Sequence, residues 1–178
     1  MAGGMGMDME LRHAVWIGDV AVLRHLVAAG VPVDGADADG LTALLQAAYN
    51  GQAEVIRVLV QLGADKEAKS ADGATALLWA TANGHVEAIR VLAQLGADKE
   101  LVEFGANKEA ENVQGGTAMH IAAYSGHAEA IKVLSQLGAQ IDAQVVNGET
   151  PLKLSIHFGN HPAAQVLRQL ERAARARK

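Results

Sequence analysis

Apolar residues recur along the chain at three- and four-residue steps in short stretches, and glycines interrupt them at regular distances. In AEVIRVLVQL, from Ala53 to Leu62, Val55, Ile56, Leu59 and Leu62 share one face of a helix. Gly63 ends it. A shorter helix, about eight or nine residues, precedes it and begins near Thr42. Gly51 breaks that first helix, because the turn needs a backbone conformation that a side chain hinders. Thr42, Thr75, Thr117 and Thr150 all stand where such first helices begin, and their hydroxyls can accept from the orphan amides there.

This pattern returns along the whole chain. DGLTALLQAAYNGQAEVIRVLVQLGADKEAKSA from Asp39 is followed by DGATALLWATANGHVEAIRVLAQLGADKE from Asp72, a shift of 33 residues. Further copies begin at Gly115 and Gly148, and a less regular one, ELRHAVWIGDVAVLRHLVAAGVPVDGADA, comes first. The turn glycines are Gly18, Gly51, Gly84, Gly126 and Gly159, at intervals of 33, 33, 42 and 33. Neither helix of a unit can bury its apolar stripe alone, so stability must come from stacking neighbours, with atypical units closing the ends.

The repeated G-x-T-A-L…A-A…G-H-x-E-x-I-x-V-L…L-G-A-D pattern resembles the ankyrin repeat, most closely in TAMHIAAYSGHAEAIKVL from Thr117 to Leu134, and the resemblance covers residues 8–172. It implies an all-α repeat solenoid, a stack of antiparallel helix pairs joined by hairpin-like loops. The units are expected at 8–36, 37–69, 70–111, 112–144 and 145–172, between a flexible tail at 1–7 and a basic tail at 173–178. Two departures should loosen the first-helix turns. The proline usual after the threonine survives only as Pro151, and the following histidine only as His120, against Leu45, Leu78 and Lys153.

The long interval holds a tandem duplication, LAQLGADKE followed by LVEFGANKE. Forty-two is 33 plus 9, but also 66 minus 24, so an inserted copy and a repeat remnant are both open. A helix continued through nine residues would turn by roughly 900°, placing Leu101 and Phe104 opposite Leu92 and Leu95. A break at Gly96 is therefore expected, then a short helix from about Lys99 to Phe104 capped by Asp98, with Leu101 and Phe104 against neighbouring helices. The inserted segment, 101–109, would bulge while its neighbours stay stacked. As a functional device, Val102, Glu103 and Phe104 would form a protruding contact.

Composition narrows the function. Half the residues are hydrophobic, enough for a core, but aromatics are only 3%, so each of the six is informative. Without cysteine there is no disulfide framework and no thiolate metal site. MAGGMGMDME has neither the basic start nor the apolar run of a signal peptide, and an intracellular, cytoplasmic setting is expected. Residues 1–164 carry ten basic and nineteen acidic side chains, −9, while the last fourteen residues carry five basic and one acidic. The body repels polyanions, and the basic tail suits the end of a terminal helix, so neither a nucleic-acid nor a membrane partner is expected.

Catalysis finds no foothold. His85-x-Glu87 and His127-x-Glu129 lack the cysteines that a deaminase-type zinc site needs, and those histidines suit helix capping or packing beside the turn. His13, His25, His120, His157 and His161 show no HExxH spacing, and no serine sits in a G-x-S-x-G elbow. MAGGMGM lacks a preceding strand and the phosphate-loop lysine. No enzyme activity, cofactor or metal is expected.

The surface remains. The resemblance implies a groove made of first helices and loop tips that holds protein partners. The residues before each turn glycine include Trp16, Tyr49, Asn50, Asn83, Tyr124, Ser125, His157 and Phe158, which would face that groove. Aromatics there make rigid anchors, although Trp16 and Phe158, in the end units, could instead shield core edges. Among the loop tips, Asp39, Asp72, Gln114 and Asn147 form a second row, with Asp37, Lys69 and Asn112 beside them; turn formation explains each singly, and together they suit a partner with basic groups. Trp79 reads as core. The expectation is a monomeric adaptor, scaffold or inhibitor that binds a protein; the alternative is a structural or self-associating unit, or a fragment of a longer array.

Overall fold

A computed structural model describes residues 4–94 and 106–176, of residues 4–8 the backbone alone. Ten helices lie among the described residues, in five pairs. The first helices are α1 (Gly4–Ile17), α3 (Ala43–Tyr49), α5 (Ala76–Ala82), α7 (Ala118–Ser125) and α9 (Pro151–His157). The second helices are α2 (Val20–Ala28), α4 (Ala53–Gln61), α6 (Val86–Gln94), α8 (Ala128–Gln136) and α10 (His161–Arg175). Each first helix packs on the next in the order α1, α3, α5, α7, α9, and the second helices form a parallel row from α2 to α10. The all-α repeat solenoid that the resemblance implies is the fold observed among the described residues.

The local chemistry follows the unit pattern. Thr42 Oγ1 accepts from Leu45 N at 3.3 Å, and Thr150 Oγ1 from Lys153 N at 3.3 Å, as the cap reading expects. Thr75 makes no such bond, and its hydroxyl is buried without a partner. Its counterpart Thr117 is served by His120, whose Nδ1 lies 2.9 Å from the Thr117 hydroxyl; Leu78 holds the corresponding place beside Thr75 and offers nothing. The lost histidine thus shows as one orphaned hydroxyl within an unchanged fold.

At Gly51 and Gly84 the backbone takes φ of +69° and +70°, and a Cβ on either would also meet the histidine ring of the next unit, at 2.6 Å and 2.8 Å. The turn glycine is therefore required twice, by conformation and by packing. Each unit's core face is closed by the next. Leu44, Leu77 and Met119 on the first helices are buried, as are Ile56, Ile89 and Ile131 on the second. On the outer face, Glu54–Arg57, Glu87–Arg90 and Glu129–Lys132 pair at i,i+3, exposed and worth only about 0.3–0.5 kcal/mol each. Burial, not charge, holds the stack.

The loops fold back hairpin-like: Asp37 N donates to Leu41 O, Ser70 N to Ala74 O, Asn112 N to Gly116 O and Val145 N to Glu149 O. Carboxylates tie successive loops, Asp65 N donating to Asp34 Oδ1 (2.9 Å), Asn107 N to Glu67 Oε1 (2.7 Å) and Gln140 N to Glu109 Oε1 (2.8 Å).

Two boundaries differ from expectation. α1 begins at Gly4, inside the segment expected to be a tail, and α10 runs on to Arg175. The expected short helix after Gly96, the packing of Leu101 and Phe104, and the contact by Val102, Glu103 and Phe104 fall outside the described residues.

Candidate functional site

Along a first helix, residues four and seven places after the threonine lie on one face, away from the second helix. In α5, α7 and α9 the fourth places are Trp79, Ile121 and Leu154, all partly buried, the first two packed against the core. They form the floor of a hollow of about 550 Å³. Tyr124, Ser125 and Phe158 line one side, and the loop-tip residues Asp72, Gln114 and Asn147 the other. Six of the twelve expected contact residues are thus brought together.

Aromatic rings join across neighbouring units. Tyr124 and Phe158 meet edge to face at 4.6 Å between centroids, and His157 stacks on Phe158 at 4.8 Å. Tyr49 meets Trp79 edge to face at 5.5 Å, which ties it to the hollow without lining it. Tyr49, Tyr124 and Phe158 are all exposed despite these contacts. Phe158 therefore packs on a neighbouring ring at the hollow's side rather than sealing a core edge. Trp16 is 68% exposed and does not line the hollow.

The other expected residues separate. Asn50 is exposed beyond the hollow. Asn83 turns back on its own helix, Nδ2 donating to Trp79 O at 3.0 Å. Asp39 belongs to a turn in which Asp37 Oδ1 accepts from Asp39 N and Leu41 N. The same turn recurs where Asn112 Oδ1 accepts from Gln114 N and Gly116 N, and where Asn147 Oδ1 accepts from Glu149 N. Turn chemistry thus accounts for the Asx residues, and it presents their neighbours Gln114 and Glu149 to the hollow.

Trp79 is a correction. It was expected in the core, yet it is only half-buried, and its Nε1 donates to Ser70 Oγ at 3.3 Å while Ser70 is bonded to Asp72. The floor row it shares with Ile121 and Leu154 was missed altogether. The 3.6-residue period could have found it, since these places lie one turn before the residues at the break.

The histidines beside the turns are structural. His85 Nε2 bonds Tyr49 O at 2.9 Å and His127 Nε2 bonds Ala82 O at 3.0 Å, each reaching back to the end of the preceding first helix. Gln52 does the same to Trp16 O, and Asn160 to Ala123 O and Tyr124 O. His127 makes no side-chain cap bond, so bridging between units replaces capping as its role.

Two titratable groups at the hollow are shifted. Burial is the largest influence on His120 and pushes its pKa below the ordinary histidine value; the carbonyls of Ala143 and Glu149 and the carboxylates of Glu111 and Glu109 pull the other way. Its Nε2 donates to Ala143 O at 3.0 Å, which leaves Nδ1 as the acceptor from Thr117. Glu149 is held below the usual carboxylate range, first by the Asn147 amide and then by His157. Asp72 and Glu149 supply carboxylates to the lining, and among the described residues no lysine or arginine lines it. Lys69 is bonded to Glu111 O and Lys153 to Gly148 O.

Among the described residues no three His, Cys, Asp or Glu side chains are grouped to hold a metal ion. No helix of the described residues is long and apolar enough to cross a membrane. A family model described as ankyrin repeats, in three copies, matches residues 11–103 and 99–176. No curated protein matches the chain closely enough to count as a relative.

Proposed function

The chain belongs to the ankyrin-repeat family, whose stacked units generally serve protein interaction, and from that premise we propose that it is a non-catalytic module holding a protein partner against α5, α7 and α9, as an adaptor, scaffold or inhibitor. One observation carries the reading. Tyr49–Trp79 and Tyr124–Phe158 are rigid aromatic pairs built across unit boundaries, with three of the four rings exposed to solvent beside an apolar floor. Aromatic rings fixed by their neighbours give contact area at low entropic cost, and they dominate interface energies. A monomeric, intracellular protein without a cofactor fits this role.

Affinity capture from a source lysate tests it, with wild type beside a Tyr49→Ala/Tyr124→Ala variant of unchanged circular dichroism. The variant should lose most of the captured partner, its affinity falling by about 30-fold or more for two anchors worth roughly 1–2 kcal/mol each. Equal capture by both proteins defeats the assignment.

A second reading rests on Ile156. It occupies the place held in earlier units by Ala48, Thr81 and Ala123, all fully buried, yet it is 50% exposed. That open face suits stacking on further units or on another copy. A constant molar mass by light scattering across a wide dilution series would remove self-association.

A further inference from the structure

We infer that the partner segment is extended and basic, with two Lys or Arg side chains about five or six residues apart, one set against Asp72 and the other against Glu149. This rests on the groove reading above and names the partner's chemistry. The lining supplies apolar surface and negative charge together. Trp79, Ile121 and Leu154 make the floor, and Tyr124 and Phe158 rise beside it. The titratable groups on the lining are Asp72, Glu149, His120 and Tyr124. Burial favours the neutral form of His120 against the pull of the Ala143 carbonyl, so the charge at the hollow comes from the two carboxylates. The lysines nearest the loops, Lys69 and Lys153, are bonded to backbone carbonyls rather than to these carboxylates.

A basic side chain satisfies both demands. Its alkyl stem covers apolar floor, its charge reaches the rim, and an aromatic face adds attraction. An acidic segment would meet like charge, and a wholly apolar one would take water from both carboxylates and offer no charge in return. The spacing follows from the repeat. Asp72 precedes α5 and Glu149 precedes α9, two helix-to-helix steps along the row, roughly 16–20 Å at about 8–10 Å per packed pair. Extended chain covers that distance in about five or six residues at ~3.3 Å each. Asp72 is steadied by the Ser70 hydroxyl, and Glu149 by Asn147 Nδ2 at 3.0 Å on one oxygen and by His157 Nδ1 at 3.4 Å on the other, so both carboxylates are held in place where a cation arrives.

A random dodecapeptide library panned against the whole chain tests this. The selected peptides are then measured by fluorescence polarisation against wild type and against Asp72→Asn, Glu149→Gln and Tyr124→Ala. The expected peptides carry two basic residues at that spacing. Replacing either by Gln should weaken binding about tenfold, and Asp72→Asn and Glu149→Gln should each cost several-fold and flatten the salt dependence. Should Asp72→Asn disturb its turn, seen as a lowered Tm, Glu149→Gln carries the comparison alone. Peptides that lose affinity with Tyr124→Ala but carry no cation, or ignore both carboxylate changes, overturn the basic-segment inference and leave the groove reading standing. No binders, or binders indifferent to Tyr124→Ala, overturn the groove reading itself.

Discussion

The amide of Ala106 donates to the carbonyl of Leu92 at 3.0 Å, across the duplicated stretch. In the regular units the same bond joins residues five apart: Val31 to Leu26, Ala64 to Leu59 and Ala139 to Leu134. Ala106 is 3% exposed, as buried as those counterparts. Asn107 then repeats the role of Asp65, its amide bonded to a carboxylate of the preceding loop and its Oδ1 accepting from Glu109 N as Asp65 Oδ1 accepts from Glu67 N. Helix α6 runs into the first copy as far as Gln94 and the second copy supplies the loop, so the unit holds nine residues more than its neighbours.

Deleting residues 97–105, which joins Gly96 to Ala106, should preserve the fold and the helical circular dichroism. Shortening the link to less than half returns about 1 kcal/mol of closure entropy. Tm should hold or rise by about 2–4 °C, and a fall of many degrees would show that the surplus residues support the stack. Ala106→Glu, by contrast, places a charge in a buried slot and should cost about 3 kcal/mol or more.

The bridge from His85 to Tyr49 O makes Gly51 sensitive to its neighbour. Gly63, with φ of +94° and open space around its missing Cβ, isolates backbone strain. Gly63→Ala should cost about 1–2 kcal/mol, and Gly51→Ala roughly 1–3 kcal/mol more from the ring collision. In urea titrations, adding His85→Ala should recover most of that excess, and a strictly additive double variant would rule the collision out.

His120 makes the stack sensitive to acid. Its folded pKa lies below that of an unfolded histidine, so the unfolded chain takes up more protons as the pH falls through about 6.5. The contribution is present above that pH and is lost below it. The urea midpoint should drop between about pH 7.5 and pH 5.5, and His120→Leu, matching Leu45 and Leu78, should flatten that drop. An undiminished slope in the variant would assign the sensitivity elsewhere.

The fold was legible because three of the four glycine intervals are 33 residues and the fourth is longer by nine. The glycine interval, the apolar steps in α4 and the capping threonines each point to one helix pair, and five pairs in register leave a single architecture. The site was only half legible. Tyr124 and Phe158 stand out as rare aromatics at a break, but Trp79 reads as core and Ile121 and Leu154 carry no signal, because an apolar residue on a helix shows its face only once its neighbours are placed. The bridging of His85 and His127 crosses units and leaves no local signal. Which nonapeptide fills the slot was likewise hidden, since both copies offer Gly-Ala at the same place; Asn107, reaching Glu67 in the unit before, reveals it.

One slot, filled in different units, separates burial from residue type. Ala123, fully buried where α7 meets α9, and Ile156, 50% exposed on the far side of α9, hold the same place in their units. A charge at Ala123 must enter the packed boundary between units, whereas at Ile156 it meets solvent. Ala123→Glu should therefore cost about 3 kcal/mol or more, and Ile156→Glu should stay within about 0.5 kcal/mol in thermal or urea unfolding. If Ile156→Glu proved as damaging as Ala123→Glu, the outer face of α9 would have to be covered in solution, and the end-stacking reading would displace the open-ended one.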